Sequence, residues 1–294
     1  MKVLQKNEDL LIKNVKDFNI EHILECGQCF NFERLADMEY IIVAYGKMLH
    51  IKQDEDDVIL YNTSAEDYEN IWKYYFDMNI DYGAIKTYLK ENDEKIVDAI
   101  EDKWGIRIIN QEFPETLLSF IISQNKQIPH IKQIVRAISE RFGNELGEYN
   151  GRKYYSFPTL DELNEATEED FRALKTGFRA PYLMDAIANM KSGLNAETFA
   201  ELDYDAAVKE MLKIKGVGEK VANCVALFSL GYRNAFPVDV WVKRVMEETY
   251  FGQDTSKEEI MKFAKSKFGE YGGYAQQYHF YHMRDMKGKG KTSS

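Results

Sequence analysis

The chain has 294 residues, room for two or three compact units, and at 45% hydrophobic and 13% aromatic it can bury a sizeable core. No apolar run approaches the roughly 20 residues that cross a bilayer, and the opening "MKVLQKNEDLLIKN" lacks a signal peptide's apolar block. The expectation is a soluble intracellular protein without a membrane partner, cytoplasmic or nucleoid-associated if the source is a bacterium or archaeon. The net charge of −11 excludes broad coating of a polyanion, but it is uneven: residues 1–113 hold 24 Asp/Glu against 13 Lys/Arg, and residues 114–294 hold 25 of each. The second segment is free to carry a focused basic face.

Strand signals fill the first hundred residues. "CFNFERL" (29–35) alternates, and "EYIIVAYGKMLHIKQDEDDVILYN" (39–62) reads as three strands, with a tight turn at Gly46-Lys47 and an acidic second turn. Helical periods follow in "AEDYENIWKYYFDM" and "YGAIKTYLKENDEKIVDAIEDKWG". After Pro114 the pattern is almost wholly helical. "PETLLSFIISQNKQIPHIKQIVRAISERFG" opens with proline near a first turn, and "TLDELNEATEEDFRALK" carries a Thr cap with an acidic first turn. The fold class is α+β: an N-terminal antiparallel sheet domain over 1–113, a mainly α-helical body over 114–286, and a flexible basic tail over 287–294. Cys26, Cys29 and Cys224 suit a reducing compartment. Cys26-x-x-Cys29 has no second pair, so burial as small apolar side chains outweighs a metal or disulfide role.

The chemistry concentrates in "LKIKGVGEKVANCVALFSL" (212–230). Val221, Cys224, Val225 and Phe228 recur on one helix face, and "DYDAAVKEMLKI" upstream forms a second helix, so Gly216-Val217-Gly218 joins a helix-hairpin-helix spanning 203–230. Glycines there let backbone amides approach a phosphate, with the next helix's free N–H groups facing it. Alone, G-V-G is equally an ordinary turn. Lys220, in the first turn of that helix, faces the positive end of the dipole. Partly desolvated there, it is expected to lose its proton readily and act as a nucleophile near neutral pH, with Cys224 one turn on beside it. In "FPVDVWVKRVMEETY", Asp239 follows Pro-Val at a helix N-cap that keeps a carboxylate ionised. An N-cap aspartate is most often structural. Together with Lys220 it suits attack on a sugar C1′, the lysine adding at the anomeric carbon and the carboxylate stabilising oxocarbenium charge.

"IKGVGEKVANCVALFSLGYRNAFPVDVWV" resembles the helix-hairpin-helix DNA glycosylases, and within them the 8-oxoguanine DNA glycosylases, bifunctional glycosylase/lyases with a lysine nucleophile. The resemblance covers nearly the whole chain. It implies a sheet domain of the TATA-binding-protein type, double-stranded DNA containing 8-oxoguanine as the partner, and excision in base excision repair by a monomer. The three scattered cysteines exclude the iron–sulfur cluster typical of the endonuclease III branch. No cofactor is implied beyond a possible monovalent cation on the carbonyls of Leu212, Ile214 and Val217.

The same resemblance assigns a base pocket. "CGQCFNF" (26–32) resembles the segment whose glycine carbonyl, here Gly27, accepts the N7–H of the lesion. "GGYAQQYHFYHM" (272–283) resembles the pocket helix, where Gln276 reads the Watson–Crick edge and Phe280 stacks on the base opposite Cys224. "FIISQNKQIPHI" supplies Asn125 as the wedge into the vacated stack, and "GFRAPYL" supplies Arg179 for the orphan base with Phe178 inserting beside it. By residue type alone these are a strand-end turn, an amphipathic helix and a surface turn. His130 stands where the family has a second arginine, so relaxed opposite-base selection is expected. Trp241 and Met283 replace a polar pair, read as one compensated change. Two rivals share parts of the pattern: a monofunctional alkyl-base glycosylase, which needs only the aspartate, and a non-catalytic DNA-binding hairpin.

Overall fold

A computed structural model describes residues 1–289; residues 290–294 of the tail lie outside the described residues. Strands β1 (Lys2–Lys6), β2 (Asp9–Lys13), β3 (Phe32–Ala36), β4 (Glu39–Ala44), β5 (Lys47–Asp54) and β6 (Asp57–Tyr61) form one antiparallel sheet in the order β1-β2-β6-β5-β4-β3. The β4–β5 turn falls on Tyr45-Gly46, one residue before the predicted position. Both take positive φ (53° and 65°), and Ala44 pairs with Lys47, the two-residue arrangement that matches strand twist. Helix α1 (Ile20–Glu25), capped by Asn19, and a helical run over 65–75 with one π turn cover one face. Leu10, Tyr40, Leu49, Ile51 and Trp72 make the core between them.

The predicted helical stretch 82–105 breaks into α2 (Tyr82–Asn92) and α3 (Val97–Asp102), because extended Asp93 (φ −154°, ψ 104°) starts a new turn and accepts the Lys95 N–H. Tyr82, Leu89, Ile100 and Ile108 pack in the core of the helical body. By packing, that body begins near residue 82; position 113 marks where strand signals end. It continues with α4 (Phe113–Ser123), α5 (Ile128–Phe142), α6 (Glu168–Ala173), α7 (Ala180–Lys191), α8 (Ala196–Ala200), α9 (Tyr204–Met211), α10 (Glu219–Phe228), α11 (Val240–Met246), α12 (Lys257–Phe268) and α13 (Gly272–Lys289). The tail expected from residue 287 is corrected at its start, since α13 runs through Lys289. A hairpin, β7 (Glu145–Tyr149) and β8 (Arg152–Tyr155), interrupts the helices, turning on Asn150-Gly151 with φ 51° and 78°.

One aromatic stack ties the two units together. Phe120 of α4 lies 5.5 Å from Phe30 and 5.5 Å from Phe228, so the segment after α1 and the end of α10 share one wall. All three cysteines are buried and free. Among the described residues no helix is long and apolar enough to cross a membrane.

Candidate active site

The hairpin is built by caps and close packing. Asp203 caps α9 by accepting the Ala206 N–H at 2.8 Å, and Asp185 accepts the Lys215 N–H at 2.8 Å. The two glycines have different jobs. Gly216 has φ +83°, and a Cβ there would lie 2.3 Å from the Tyr182 ring. Its carbonyl accepts Gln124 Nε2 at 3.0 Å. Gly216 is therefore glycine for internal packing, a correction to the view that both glycines make room for a phosphate. Gly218 has ordinary φ (−101°) and open space around it. It caps α10 without a side-chain acceptor, so among the described residues the first N–H groups of that helix have no capping partner, the arrangement that receives an anion.

Lys220 leaves the first turn of α10 half-buried. Its ammonium donates to Ser123 Oγ at 3.1 Å and lies 4.8 Å from the centroid of the Phe120 ring. Asp239 caps α11, its Oδ1 accepting the N–H groups of Trp241 (2.9 Å) and Val242 (2.8 Å). The two meet at Cys224. Burial pushes that thiol up to about 11; the Lys220 ammonium opposes the shift and the Asp239 carboxylate adds to it. A thiol pushed up by burial stays protonated near neutral pH, and both charges are close enough to act on it. A cleft of about 240 Å³ opens here, lined by Gly218, Lys220, Asn223, Val238, Lys257 and Met261. Lys257, exposed at the start of α12, brings a second amine that the sequence did not single out.

Gly27 is held by its neighbours. Gln28, fully buried, donates to the carbonyls of Ile23 (2.8 Å) and Arg107 (2.8 Å) and accepts the Ile109 N–H (3.0 Å). Between that anchor and buried Cys26, Gly27 takes φ +83°, and a Cβ there would lie 3.3 Å from Ile128, 3.3 Å from Arg284 and 3.5 Å from Phe280. Gly27 and Phe280 are thus neighbours although 253 positions separate them. Gln276, one turn before Phe280 on α13, is 4% exposed, and its Oε1 is buried without a hydrogen-bond partner. A buried acceptor left open costs about 1–3 kcal/mol unless a ligand fills it. Ile128 and Arg284 were missed in the sequence. Arg284 continues the Gln276–Phe280 spacing by another turn, and its guanidinium donates to the Glu25 carbonyl.

The loops expected to enter DNA are tied together. Asn125 sits exposed between α4 and α5 with φ +53°, and Phe178 is 52% exposed. Arg179 is only 4% exposed, with its carbon Cζ 4.2 Å from the centroid of the Phe178 ring, and it donates to the carbonyls of Gln124 and of Thr176 (3.2 Å). Its Nε is buried without a partner, so Arg179 braces the Asn125 loop, and an orphan base would have to draw it off that loop. His130 is exposed in the first turn of α5, on an open groove shared with Lys126 and Lys175. Trp241 lies under Arg244, 5.5 Å from the guanidinium, while Met283 packs on the main core. Of the carbonyls proposed for a cation, that of Ile214 accepts the Val217 N–H at 3.0 Å; those of Leu212 and Val217 have no internal partner among the described residues.

The helical body packed on the sheet thus carries a half-buried hairpin lysine and an N-cap carboxylate that both act on the Cys224 thiol. Residues 118–270 match the model of the HhH-GPD superfamily base excision DNA repair proteins, and residues 10–117 match the N-terminal domain of 8-oxoguanine DNA glycosylase. The Clostridium acetobutylicum 8-oxoguanine glycosylase/lyase, solved with duplex DNA containing cytosine opposite 8-oxoG, is 41% identical with a TM-score of 0.94, covering 98% of this chain and 99% of that one. The N-glycosylase/DNA lyase of Arabidopsis thaliana is 28% identical, covering 85% of this chain and 73% of its own. That of Saccharomyces cerevisiae is 27% identical over 87% and 74%. The chain belongs to the 8-oxoguanine DNA glycosylase family of the HhH-GPD superfamily.

Proposed function

We infer that this protein is an 8-oxoguanine DNA glycosylase with apurinic/apyrimidinic lyase activity, with Lys220 as nucleophile and Asp239 as its electrostatic partner. The N–H groups at Gly218 and the start of α10 receive a phosphate of the duplex. The damaged nucleotide flips out, Asn125 and Phe178 fill the gap, and Arg179 and His130 face the orphan base. Within the pocket the Gly27 carbonyl accepts the lesion's N7–H, a donor that guanine lacks. Gln276 Oε1 accepts from the N1–H and amino edge, and Phe280 and Cys224 sandwich the ring. The orphaned Gln276 acceptor, on the helix that brings Phe280 against Gly27, is the observation that carries this reading.

The deprotonated Lys220 amine attacks C1′. The N-glycosidic bond breaks, its electron pair and a proton leave with the base, and Asp239 offsets the positive charge that builds on the sugar. Ring opening gives an imine; loss of a C2′ proton then expels the 3′ phosphate. The protein acts as a monomer on double-stranded DNA inside the cell, without a redox or organic cofactor. The carbonyls of Leu212, Ile214 and Val217 hold a monovalent cation; such an ion would neutralise charge at a bound phosphate. The two carbonyls without internal partners support that site.

A nicking assay on a duplex with one 8-oxoguanine, with and without borohydride, tests the reading. Strand scission and a covalent protein–DNA adduct are expected, with excision across from C, A, G and T, because His130 is a shorter donor than arginine. Excision without a trapped adduct would indicate the monofunctional chemistry, neither excision nor scission a non-catalytic hairpin, scission by Lys220→Gln protein a nucleophile other than Lys220, and strict dependence on C would refute the role given to His130.

A further inference from the structure

Away from the catalytic cleft, a second cavity of about 200 Å³ lies where β3, β4, α5 and the β7–β8 hairpin meet. Its walls are apolar, with Phe30, Ile41, Val43 and Tyr154 among them. Its acids are already engaged: Glu33 accepts the Tyr154 hydroxyl at 2.8 Å and pairs with Arg152, and Glu140 pairs with Arg136 at 2.5 Å. What stays open is a set of donors. Ser139 is 2% exposed and its hydroxyl has no partner; Arg152 Nε is buried and also unpartnered. Lys132 lines the same space with no carboxylate within ion-pair distance among the described residues, its ammonium 3.5 Å from the centroid of the Phe32 ring. Burial lowers the Lys132 pKa, as expected of a cation short of a counter-charge.

Apolar walls with a few convergent polar groups have the form of a small-molecule site, and the space suits a single flat ring rather than a large ligand. Three open donors, of which Lys132 carries an uncompensated charge and Arg152 Nε belongs to a guanidinium already paired with Glu33, call for an acceptor-rich group of single negative charge; the walls call for a flat apolar body. We propose that this cavity binds a small planar organic anion, its carboxylate or phosphate held by Lys132, Ser139 and Arg152 and its body lying against Phe30, Ile41 and Val43. Phe30 also touches Phe120 of the catalytic wall, but Lys132, Ser139 and Arg152 contribute to neither the base pocket nor the Lys220 cleft, so the proposal stands apart from the enzymatic reading.

Calorimetric titration of the intact protein tests it, with 2′-deoxyadenosine 5′-monophosphate and benzoate as probes and inorganic phosphate as a control for charge alone. Saturable one-to-one binding of at least one organic probe is expected, and which probe binds tells a nucleotide from an aromatic carboxylate. Lys132→Met should weaken binding about tenfold or more, near 1.4 kcal/mol, and Ser139→Ala several-fold. Gln276→Ala, which alters only the base pocket, should leave it unchanged. Thermal melting of each variant checks the fold, and Lys132→Gln replaces any variant that melts early. No saturation by either probe up to about 10 mM, inorganic phosphate binding as tightly as the organic probes, or binding lost in Gln276→Ala but kept in Lys132→Met would each overturn the proposal.

Discussion

The two halves of the site are made in opposite ways. The reactive half, Lys220 with Asp239, is set by local features: Gly216 pressed on Tyr182, Gly218 at the start of α10, and Asp239 capping α11 through two backbone N–H groups. The reading half joins Gly27, from the segment after α1, to Gln276 and Phe280 on the last helix. Local caps fix a nucleophile's direction with little help from the rest of the fold. A pocket that separates two purines by one hydrogen needs walls held independently, which Gln28 and the Phe30–Phe120–Phe228 stack supply. Damage to the first half should stop chemistry, and damage to the second should blur recognition.

Asp239→Asn should have the largest effect that leaves the protein folded. Asparagine still caps a helix, so the melting temperature should hold while single-turnover excision falls by about 10²–10³-fold; a fall in both together would make Asp239 merely structural. Gln276→Ala should lower kcat/KM for 8-oxoguanine by about 10–100-fold, the worth of one buried polar contact. Cleavage of a preformed abasic site should stay unchanged, and an equal loss on both substrates would merge the two halves.

Two glycine variants divide the hairpin. Gly216→Ala should destabilise by about 2–4 kcal/mol, because its Cβ would clash with the Tyr182 ring at positive φ. Gly218→Ala should cost about 1 kcal/mol or less in denaturant melts and act mainly by weakening duplex binding. Acid acts on the reading half through one buried group. His279, beside Phe280, is 2% exposed, and burial lowers its pKa from 6.5 to about 4. A depressed folded value gives stability that is present above pH 6.5 and lost as pH falls towards 4. Between pH 7 and 5 the melts should lose on the order of 1–2 kcal/mol from this group, and His279→Gln should flatten that part of the slope.

What the sequence disclosed follows the same division. The hairpin, the Asp239 cap and the helix bearing Gln276 and Phe280 were legible because caps, glycines and a four-residue period are short-range signals. The β7–β8 hairpin has the strong turn pair Asn150-Gly151, but its short flanks, "ELGEY" and "RKYY", carry too little apolar alternation to read as strands. Strands β1 and β2 were also missed; their alternation is weak and β1 is largely exposed. That Arg179 would turn inward to Gln124, that Ile128 and Arg284 would flank Gly27, and that Lys257 would share the Lys220 cleft all depend on contacts between distant segments. No local pattern encodes them.

Because two amines line that cleft, the decisive measurement is to locate the sugar. Borohydride-trapped complex should be digested with protease and nuclease and the modified peptide sequenced by mass spectrometry. The expected result is deoxyribose on Lys220 alone. Label on Lys257, or on the N-terminal amine with Lys220 unmodified, would contradict the assignment of the nucleophile and with it the role of the hairpin.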